Sequence, residues 1–272
     1  MKTQPNLAWP MKLPVDDHRG DAPGALRMLL EARAPWEAAA LAMATPWLNR
    51  LPDGDGHPVL VFPGLGASDF STVPLRGFLR RRGHWTHAWK QGFNFGPRHG
   101  VLHACRDRLR RLADRHGRAV SLVGWSLGGV YARELAKETP DHVRCVITLG
   151  SPFAGHPRDT NAWRVYEFVS GQSVHDNPAL RRQLRVAPPV PTTSIFSRTD
   201  GVVAWHCSVN EVLPHTENIE ITSASHVGMG VNPLALYVVA DRLRQDPQKW
   251  QRFDAGGARR WFFKHAEPPP AA

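Results

Sequence analysis

Short runs of strand-forming residues alternate along the chain with longer segments in which apolar residues recur at helical spacing. The strand-like runs are residues 59–62, 119–123, 143–149, 192–196 and 218–222. Continuous apolar runs such as 59–62 are typical of strands that helices cover on both sides. Helical patterns lie at about 100–116, 130–137 and 233–244. The alternation predicts an α/β fold with a mostly parallel central sheet and helices on both faces.

The first 56 residues precede this alternation and predict an N-terminal helical extension, residues 1–56. Residues 23–48 are rich in alanine and leucine and indicate one or two helices. Pro35 suits the first turn of the second helix. We expect Trp36 and Trp47 to pack in the core, and the alternative is that they line a substrate groove.

Two further regions fall outside the strand and helix alternation. Residues 156–190 contain Trp163, Tyr166 and Phe168 and then a short helical pattern. Their place between two core strands predicts a small helical cap or lid over an apolar pocket; the alternative is an insertion with no role in binding. Residues 246–272 form a basic and aromatic tail, which we expect to dock on the core domain, residues 57–245. A lipid contact or a mobile tail are the alternatives.

Composition narrows the class of protein. The chain has 272 residues and is 42% hydrophobic, which suits one large globular domain. No apolar run approaches the ~20 residues that span a bilayer, and the first residues lack the apolar run of a signal peptide. We therefore expect a cytoplasmic protein. The three cysteines are too few and too scattered for a disulfide framework or a zinc site.

The net charge of +10 comes mainly from arginine, much of it within residues 76–82 and 106–118. One interpretation is that these are the solvated outer faces of two helices. The other is a weak contact with an anionic surface or a lipid. Because no nucleic-acid-binding motif accompanies the arginines, we expect no nucleic acid partner.

The central motif is Gly124-Trp125-Ser126-Leu127-Gly128, which stands between an apolar run and a helical pattern. A serine on such a sharp strand-to-helix turn is exposed above the sheet edge, and the glycines avoid collisions with neighbouring backbone. Ser126 is therefore the candidate nucleophile. The N–H of Leu127, at the start of the helix, points to where an oxyanion would form. The alternative is a glycine-rich turn with a capping serine.

A second tight loop, Pro63-Gly64-Leu65-Gly66, follows the first core strand. In acyl-transfer sites this loop supplies the second backbone N–H for the oxyanion, which we assign to Leu65. Alone, the loop would be an ordinary turn.

Asp200 and His226 complete the set of candidate catalytic residues. Asp200 directly follows the strand 192–196, in a turn where a carboxylate could hold an imidazole. Glu217 and Glu220 are rival carboxylates, but they lie at the start of, or within, the next strand. His226 lies in a loop of small residues just after that strand.

These motifs resemble the α/β-hydrolase family, and more narrowly its bacterial serine lipases and esterases. The resemblance covers about residues 57–245 and is carried by Phe62-Pro-Gly-Leu-Gly66, Gly124-Trp-Ser-Leu-Gly128, Leu149-Gly-Ser-Pro-Phe-Ala-Gly155, Arg198-Thr-Asp-Gly-Val202 and Ser225-His-Val-Gly228. The order serine, acid, histidine is that of the family. The family more often has His-Gly where this chain has Pro63-Gly64.

The resemblance implies an α/β-hydrolase fold and acyl transfer to water without a metal or an organic cofactor. In this scheme Ser126 attacks a small-molecule ester, His226 moves the proton, Asp200 orients the histidine, and Leu65 and Leu127 bind the oxyanion. The aromatic cap favours apolar or lipid-like acyl groups. An acyltransferase or a thioesterase would use the same triad, and a catalytically silent binding module is the alternative outside enzymes.

Overall fold

The computed structural model describes residues 22–161 and 177–268. Within these ranges the α-helices are α1 (Ala25–Leu29), α2 (Ala34–Leu48), α3 (Val73–Arg81), α4 (Val101–His116), α5 (Leu127–Glu138), α6 (Pro178–Arg185) and α7 (Pro233–Leu243). The strands are β1 (Pro58–Phe62), β2 (Trp85–Ala88), β3 (Val120–Trp125), β4 (Val143–Leu149), β5 (Thr192–Phe196), β6 (Thr216–Ile221) and β7 (Phe263–His265). A 3-10 turn, Leu30–Arg33, joins α1 to α2.

The seven strands form one sheet in the order β2-β1-β3-β4-β5-β6-β7. All neighbouring pairs are parallel except β6 and β7, which are antiparallel. The predicted mostly parallel sheet is confirmed. The strand order reverses between β1 and β3, and in open α/β sheets ligands bind beyond the carboxyl ends of the strands at such a point.

Alternate residues of β1 pack in two cores, one on each face of the sheet. In β1, Val59 and Val61 pack in a core that includes residues of α3 and α7. Leu60 and Phe62 face the opposite core, which includes residues of α4 and α5. This division explains why β1 is apolar at every position, and it confirms helices on both faces.

The two arginine-rich segments lie on α3 and α4. Each helix buries an apolar stripe, including Leu75 and Leu79 on α3 and Cys105 and Leu109 on α4. The i, i+4 spacing of these residues leaves most of the arginines on the other side of each helix. No helix within the described ranges is both long enough and apolar enough to cross a membrane.

The C-terminal tail contributes to the sheet. Ile221 of β6 pairs with Phe263 of β7, and Phe253 and Phe263 are buried in the α7-side core. The sequence patterns did not predict this strand. Its three residues are too few to show a period, and only the pairing with β6 defines it.

The tryptophans of the N-terminal extension do not pack in the core as expected. Trp36 is 77% exposed and Trp47 is 50% exposed, although Trp47 stacks on Tyr237 of α7. The prediction was wrong because α2 contacts the domain mainly through Glu37, Leu41, Ala44 and Leu48, which leaves Trp36 facing outward.

Candidate active site

The serine turn between β3 and α5 has the strained geometry that its glycines allow. Ser126 has φ 53° and ψ −126°, a positive φ that side-chain-bearing residues rarely adopt. A Cβ on Gly124 would collide with the backbone of Gly129, and one on Gly128 would lie 2.5 Å from the carbonyl oxygen of Phe62. The turn therefore requires glycine on both sides of Ser126, as predicted.

Ser126, His226 and Asp200 form one hydrogen-bonded chain. The Nε2 of His226 lies 2.9 Å from the Oγ of Ser126, and its Nδ1 lies 2.7 Å from the Oδ2 of Asp200. All three side chains are buried. Gly150, at φ 54°, gives the pair room, because a Cβ there would lie 3.1 Å from both Asp200 Oδ2 and His226 Nδ1.

The structure separates Asp200 from its two rivals. The Oδ1 of Asp200 accepts hydrogen bonds from the N–H groups of Val202 and Val203, each at 2.8 Å, which leaves Oδ2 for the histidine. Glu217 instead pairs with Arg242 at 3.1 Å. Glu220 pairs with Arg198 at 3.0 Å. Of these three carboxylates, only Asp200 contacts His226.

The surroundings of His226 favour its protonated form. Burial acts to lower the pKa of His226, but the negative charge of Asp200, the hydrogen bond to it and the charge of Glu31 together outweigh burial. The pKa of His226 is therefore raised above its usual value. An imidazole of this kind is a stronger base, as a group that removes a proton from a serine needs to be.

The loop after β1 lies against the serine and is held by Asn94. A Cβ on Gly64 would lie 3.2 Å from the Cβ of Ser126. The buried Asn94 donates from Nδ2 to the carbonyl oxygen of Pro63 at 2.8 Å, and the backbone carbonyl oxygen of Asn94 accepts from the N–H of Gly66 at 2.7 Å. These two bonds fix the loop on either side of Leu65.

Two backbone N–H groups beside Ser126 are left for a ligand. Neither Leu65 N nor Leu127 N donates to another group within the described ranges. Leu127 is the first residue of α5, where the N–H groups have no acceptor within the helix. The two residues flank the serine on the loops after β1 and β3, an arrangement that can bind a negatively charged oxygen.

A family model described as "Alpha/beta hydrolase family" matches residues 59–269, which is more than half of the chain. This chain belongs to the α/β-hydrolase family. The match includes Ser126, Asp200 and His226 and begins after the N-terminal extension.

Two curated relatives match this α/β hydrolase over a shorter stretch. Both are named pimeloyl-[acyl-carrier protein] methyl ester esterase, from the Paris and Corby strains of Legionella pneumophila. Each is 30% identical over 98 residues, which is 36% of this chain. The matched region spans only 39% of the length of those relatives.

Solved structures support the same fold. Aspergillus fumigatus lipase B has a TM-score of 0.54 and 18% identity, over 72% of this chain and 55% of the lipase. A structure reported for the metagenome-derived lipolytic enzymes LipS and LipT has a TM-score of 0.55 and 15% identity, over 71% of this chain and 95% of that one. At these identities the likeness shows the fold alone, and it agrees with the predicted α/β-hydrolase fold.

The predicted cap of this α/β hydrolase lies partly outside the described residues. Trp163, Tyr166 and Phe168 fall in the part that is not described. The C-terminal end of the described helix α6 contacts α5, the helix that follows Ser126. There the buried Arg133 of α5 donates to the carbonyl oxygens of Arg185 and Val186, both at 3.1 Å.

Two groups of side chains in the described ranges have the residue types that bind metal ions: Asp55, His57 and His84, and Asp159, His206 and Cys207. The Nδ1 of His57 and the Oδ1 of Asp55 are 2.5 Å apart. Two ligands of one zinc ion are about 3.3 Å apart, so this pair is a hydrogen bond. In the second group Asp159 Oδ2 lies 3.3 Å from His206 Nε2. Neither group includes Ser126, Asp200 or His226.

Sequence reasoning missed three residues that hold the site: Asn94, Trp125 and Glu31. Trp125 donates from Nε1 to the carbonyl oxygen of His226 at 3.0 Å. The contacts of all three leave no pattern in the sequence, because each side chain bonds a backbone group far away along the chain. Trp125 stands inside the serine motif, so a functional contact could have been suspected for it alone.

Proposed function

We propose that this α/β hydrolase is a serine esterase that cleaves carboxylic esters of apolar or lipid-like acyl groups. One observation carries the proposal: the hydrogen-bonded chain from Ser126 Oγ through His226 to Asp200. It lies beside two backbone N–H groups that have no acceptor within the described ranges. Family membership supports hydrolysis, and the partial match to two enzymes named as methyl ester esterases supports ester substrates.

The geometry supports the usual two-step route for such a triad. The Nε2 of His226 accepts the proton of Ser126 as Oγ attacks the ester carbonyl carbon. The carbonyl oxygen becomes an oxyanion, to which the N–H groups of Leu65 and Leu127 donate; each donor lowers the barrier by about 3 kcal/mol. His226 then gives the proton to the alkoxide oxygen, and the alcohol leaves as the C–O bond breaks.

The second step releases the acid. With the acyl group on Ser126 Oγ, His226 accepts a proton from water, and the hydroxide oxygen attacks the acyl carbonyl. The protonated His226 returns its proton to Ser126 Oγ as the acyl–oxygen bond breaks. Asp200 keeps the proton of His226 on Nδ1 and stabilises the imidazolium in both steps.

Apolar side chains on the loops of the site support an apolar acyl group. Phe93 precedes Asn94 and stacks on Phe95, yet Phe93 remains 55% exposed. Val227 follows His226 and is 53% exposed. Leu65 is half-buried beside Ser126. Apolar surface at the mouth of a polar site is typical of pockets that bind apolar ligands.

The experiment is hydrolysis of a p-nitrophenyl ester series from acetate to palmitate by the wild type and by Ser126→Ala. We expect turnover that rises with chain length and that Ser126→Ala abolishes while the thermal unfolding temperature stays close to the wild type. Labelling by a fluorophosphonate probe reports whether Ser126 is activated.

The outcomes separate the candidate functions. A Ser126→Ala variant with most of the wild-type activity would overturn the assignment of the nucleophile. Turnover of short esters alone would remove the lipid-like substrate class. A labelled Ser126 without ester hydrolysis would favour the acyltransferase or thioesterase, which the same triad supports, and an unlabelled one would favour a binding module.

A further inference from the structure

We propose that the N-terminal segment, residues 25–37, is a clamp that holds the histidine and acid loops of the triad, with Glu31 as its main positioning residue. The inference deepens the proposed function and rests on it. The segment lies before residue 59, where the family match begins, so the comparisons assign it no role.

Glu31 joins the two triad loops through one carboxylate. Its Oε1 accepts from the backbone N–H of His226 at 2.9 Å and from the N–H of Gly201, next to Asp200, at 2.7 Å. Its Oε2 accepts from the N–H of Val227 at 2.9 Å. Hydrogen bonds from N–H groups to a carboxylate are about twice as strong as bonds between neutral groups. Glu31 therefore fixes the spacing between the loop that carries His226 and the loop that carries Asp200.

Glu37 and Arg33 extend the clamp on either side of Glu31. The Oε1 of Glu37 accepts from the N–H of Ser225 at 2.7 Å. Arg33 donates from Nη2 to the carbonyl oxygen of Thr199 at 3.0 Å and to its Oγ1 at 2.8 Å. The residue before Asp200 and the residue before His226 are thus also bonded to the segment. Arg33 and Glu37 pair with each other at 3.3 Å, which links the two halves of the clamp.

Glycines in the two loops let the segment come this close. A Cβ on Gly201 would collide with the carbonyl oxygen of Arg27, and a Cβ on Gly228 would collide with Oε2 of Glu37. Asn161 ties the chain just before the segment to the same place, because its Nδ2 donates to the carbonyl oxygens of Pro23 at 2.8 Å and Gly201 at 2.7 Å. The loops and the segment are therefore fitted to each other at several points.

The clamp also acts on the charge of His226. The carboxylates that act on His226 from the described residues are Asp200, after β5, and Glu31, on the segment. Arg33 and Glu37 lie on the same segment and partly offset each other. A negative charge at Glu31 stabilises the imidazolium that forms each time His226 takes a proton. Glu31 thus has a positional role and an electrostatic role, and the two can be separated by substitution.

The test compares Glu31→Gln, Glu31→Asp and a matched control, Glu138→Gln, at a partly exposed glutamate of α5 paired with Arg106. Glu31→Gln removes the charge and places an amide NH2 against a backbone N–H. We expect kcat/KM to fall about 10- to 100-fold, since small displacements of catalytic groups cost this much, with the loss mainly in kcat. Glu31→Asp keeps the charge but shortens the reach, so kcat falls while the acid limb of the pH profile stays near that of the wild type.

The pH dependence separates the clamp from a merely structural role. In Glu31→Gln the acid limb of the kcat/KM profile moves to lower pH, and so does the titration of His226 followed by NMR. Glu138→Gln moves neither. The rate of fluorophosphonate labelling at Ser126 falls in parallel with kcat in the Glu31 variants.

These readouts keep the failure of the clamp apart from the failure of the esterase proposal. The NMR titration needs no substrate, so an inactive wild type would count against the proposed function and still test Glu31. A folded Glu31→Gln variant with the wild-type His226 titration and labelling rate would overturn the clamp. If Glu31→Gln does not fold, Glu31→Asp provides the test. The proposal predicts a lower kcat with the acid limb of the pH profile unchanged, and an unchanged kcat overturns it.

Discussion

Replacing Asp200 by asparagine keeps the size of the side chain but removes its charge and one acceptor oxygen. In the native site Oδ1 accepts from the N–H groups of Val202 and Val203, and Oδ2 faces Nδ1 of His226. The asparagine NH2 group must replace one of these oxygens. If it faces His226, Nδ1 becomes the acceptor, and the histidine proton moves to Nε2, which can then no longer accept the proton of Ser126.

The size of the loss in kcat follows from the hydrogen bonds and the charge that the substitution removes. Turning the NH2 group towards Val202 and Val203 would lose two hydrogen bonds of about 1 kcal/mol each, so the inactive orientation is favoured by about 30-fold. The active minority also lacks the charge that stabilises the imidazolium, which costs about 2 kcal/mol, or roughly another 30-fold. We therefore expect Asp200→Asn to lower kcat by about 10³-fold.

The assay is steady-state hydrolysis of the best p-nitrophenyl ester, with thermal unfolding followed in parallel. The matched control is Glu217→Gln, which changes a buried carboxylate bonded to Arg242 and to the N–H of Phe253. It should lower the unfolding temperature and leave kcat near the wild type. A loss of only a few-fold in Asp200→Asn would refute the reasoning, and a large loss of kcat in folded Glu217→Gln would move the acid to Glu217.

Two other predictions concern His226, the proposed base, and the loop after β1 that carries Leu65. Because the pKa of His226 is raised from 6.5, kcat/KM should fall as the pH drops through a midpoint above 6.5 and stay level above it; a pH series of initial rates checks this, and a midpoint below 6.5 would contradict it. Asn94→Ala removes the bond to Pro63 and should lower kcat about 10-fold with little change in KM, because one of the two bonds that fix the loop around Leu65 is then lost; full activity in a folded variant would show that the loop needs no such support.

The serine turn could be predicted from the sequence because the reactive residue and the glycines that its backbone requires lie within five consecutive residues. Ser126 has a positive φ, and the crowded backbone around it admits only glycine at 124 and 128. These requirements fall on neighbouring residues and are therefore visible as a sequence motif. Asp200 and His226 were found because each follows a strand in a parallel sheet, whose carboxyl ends meet at one edge. That placement favours Asp200 over Glu217, and the contact of Asp200 with His226 is seen only in the structure.

The supports of the site could not be predicted in the same way. Glu31 bonds the N–H of His226, 195 positions away, and the N–H of Gly201, 170 positions away. A backbone N–H is the same group in almost every residue, so the partner leaves no trace in the sequence. Asn94 was missed for the same reason. The prediction that Trp36 packs in the core was wrong because a large apolar side chain is usually buried, whereas this one faces outward.

The amount of apolar burial that attaches residues 25–48 to the domain differs along this stretch. Helix α2, which continues beyond residue 37, is anchored at its end by the buried Leu48, whereas α1 and the 3-10 turn after it bury no residue completely. Releasing residues 25–37 would therefore cost several hydrogen bonds but would remove little apolar surface from contact, so this part can open well below the free energy of global unfolding. Inactivation by heat or urea and loss of the fold are then two separate events. A stability assay based on activity would report the first event, and one based on the signal of the sheet would report the second.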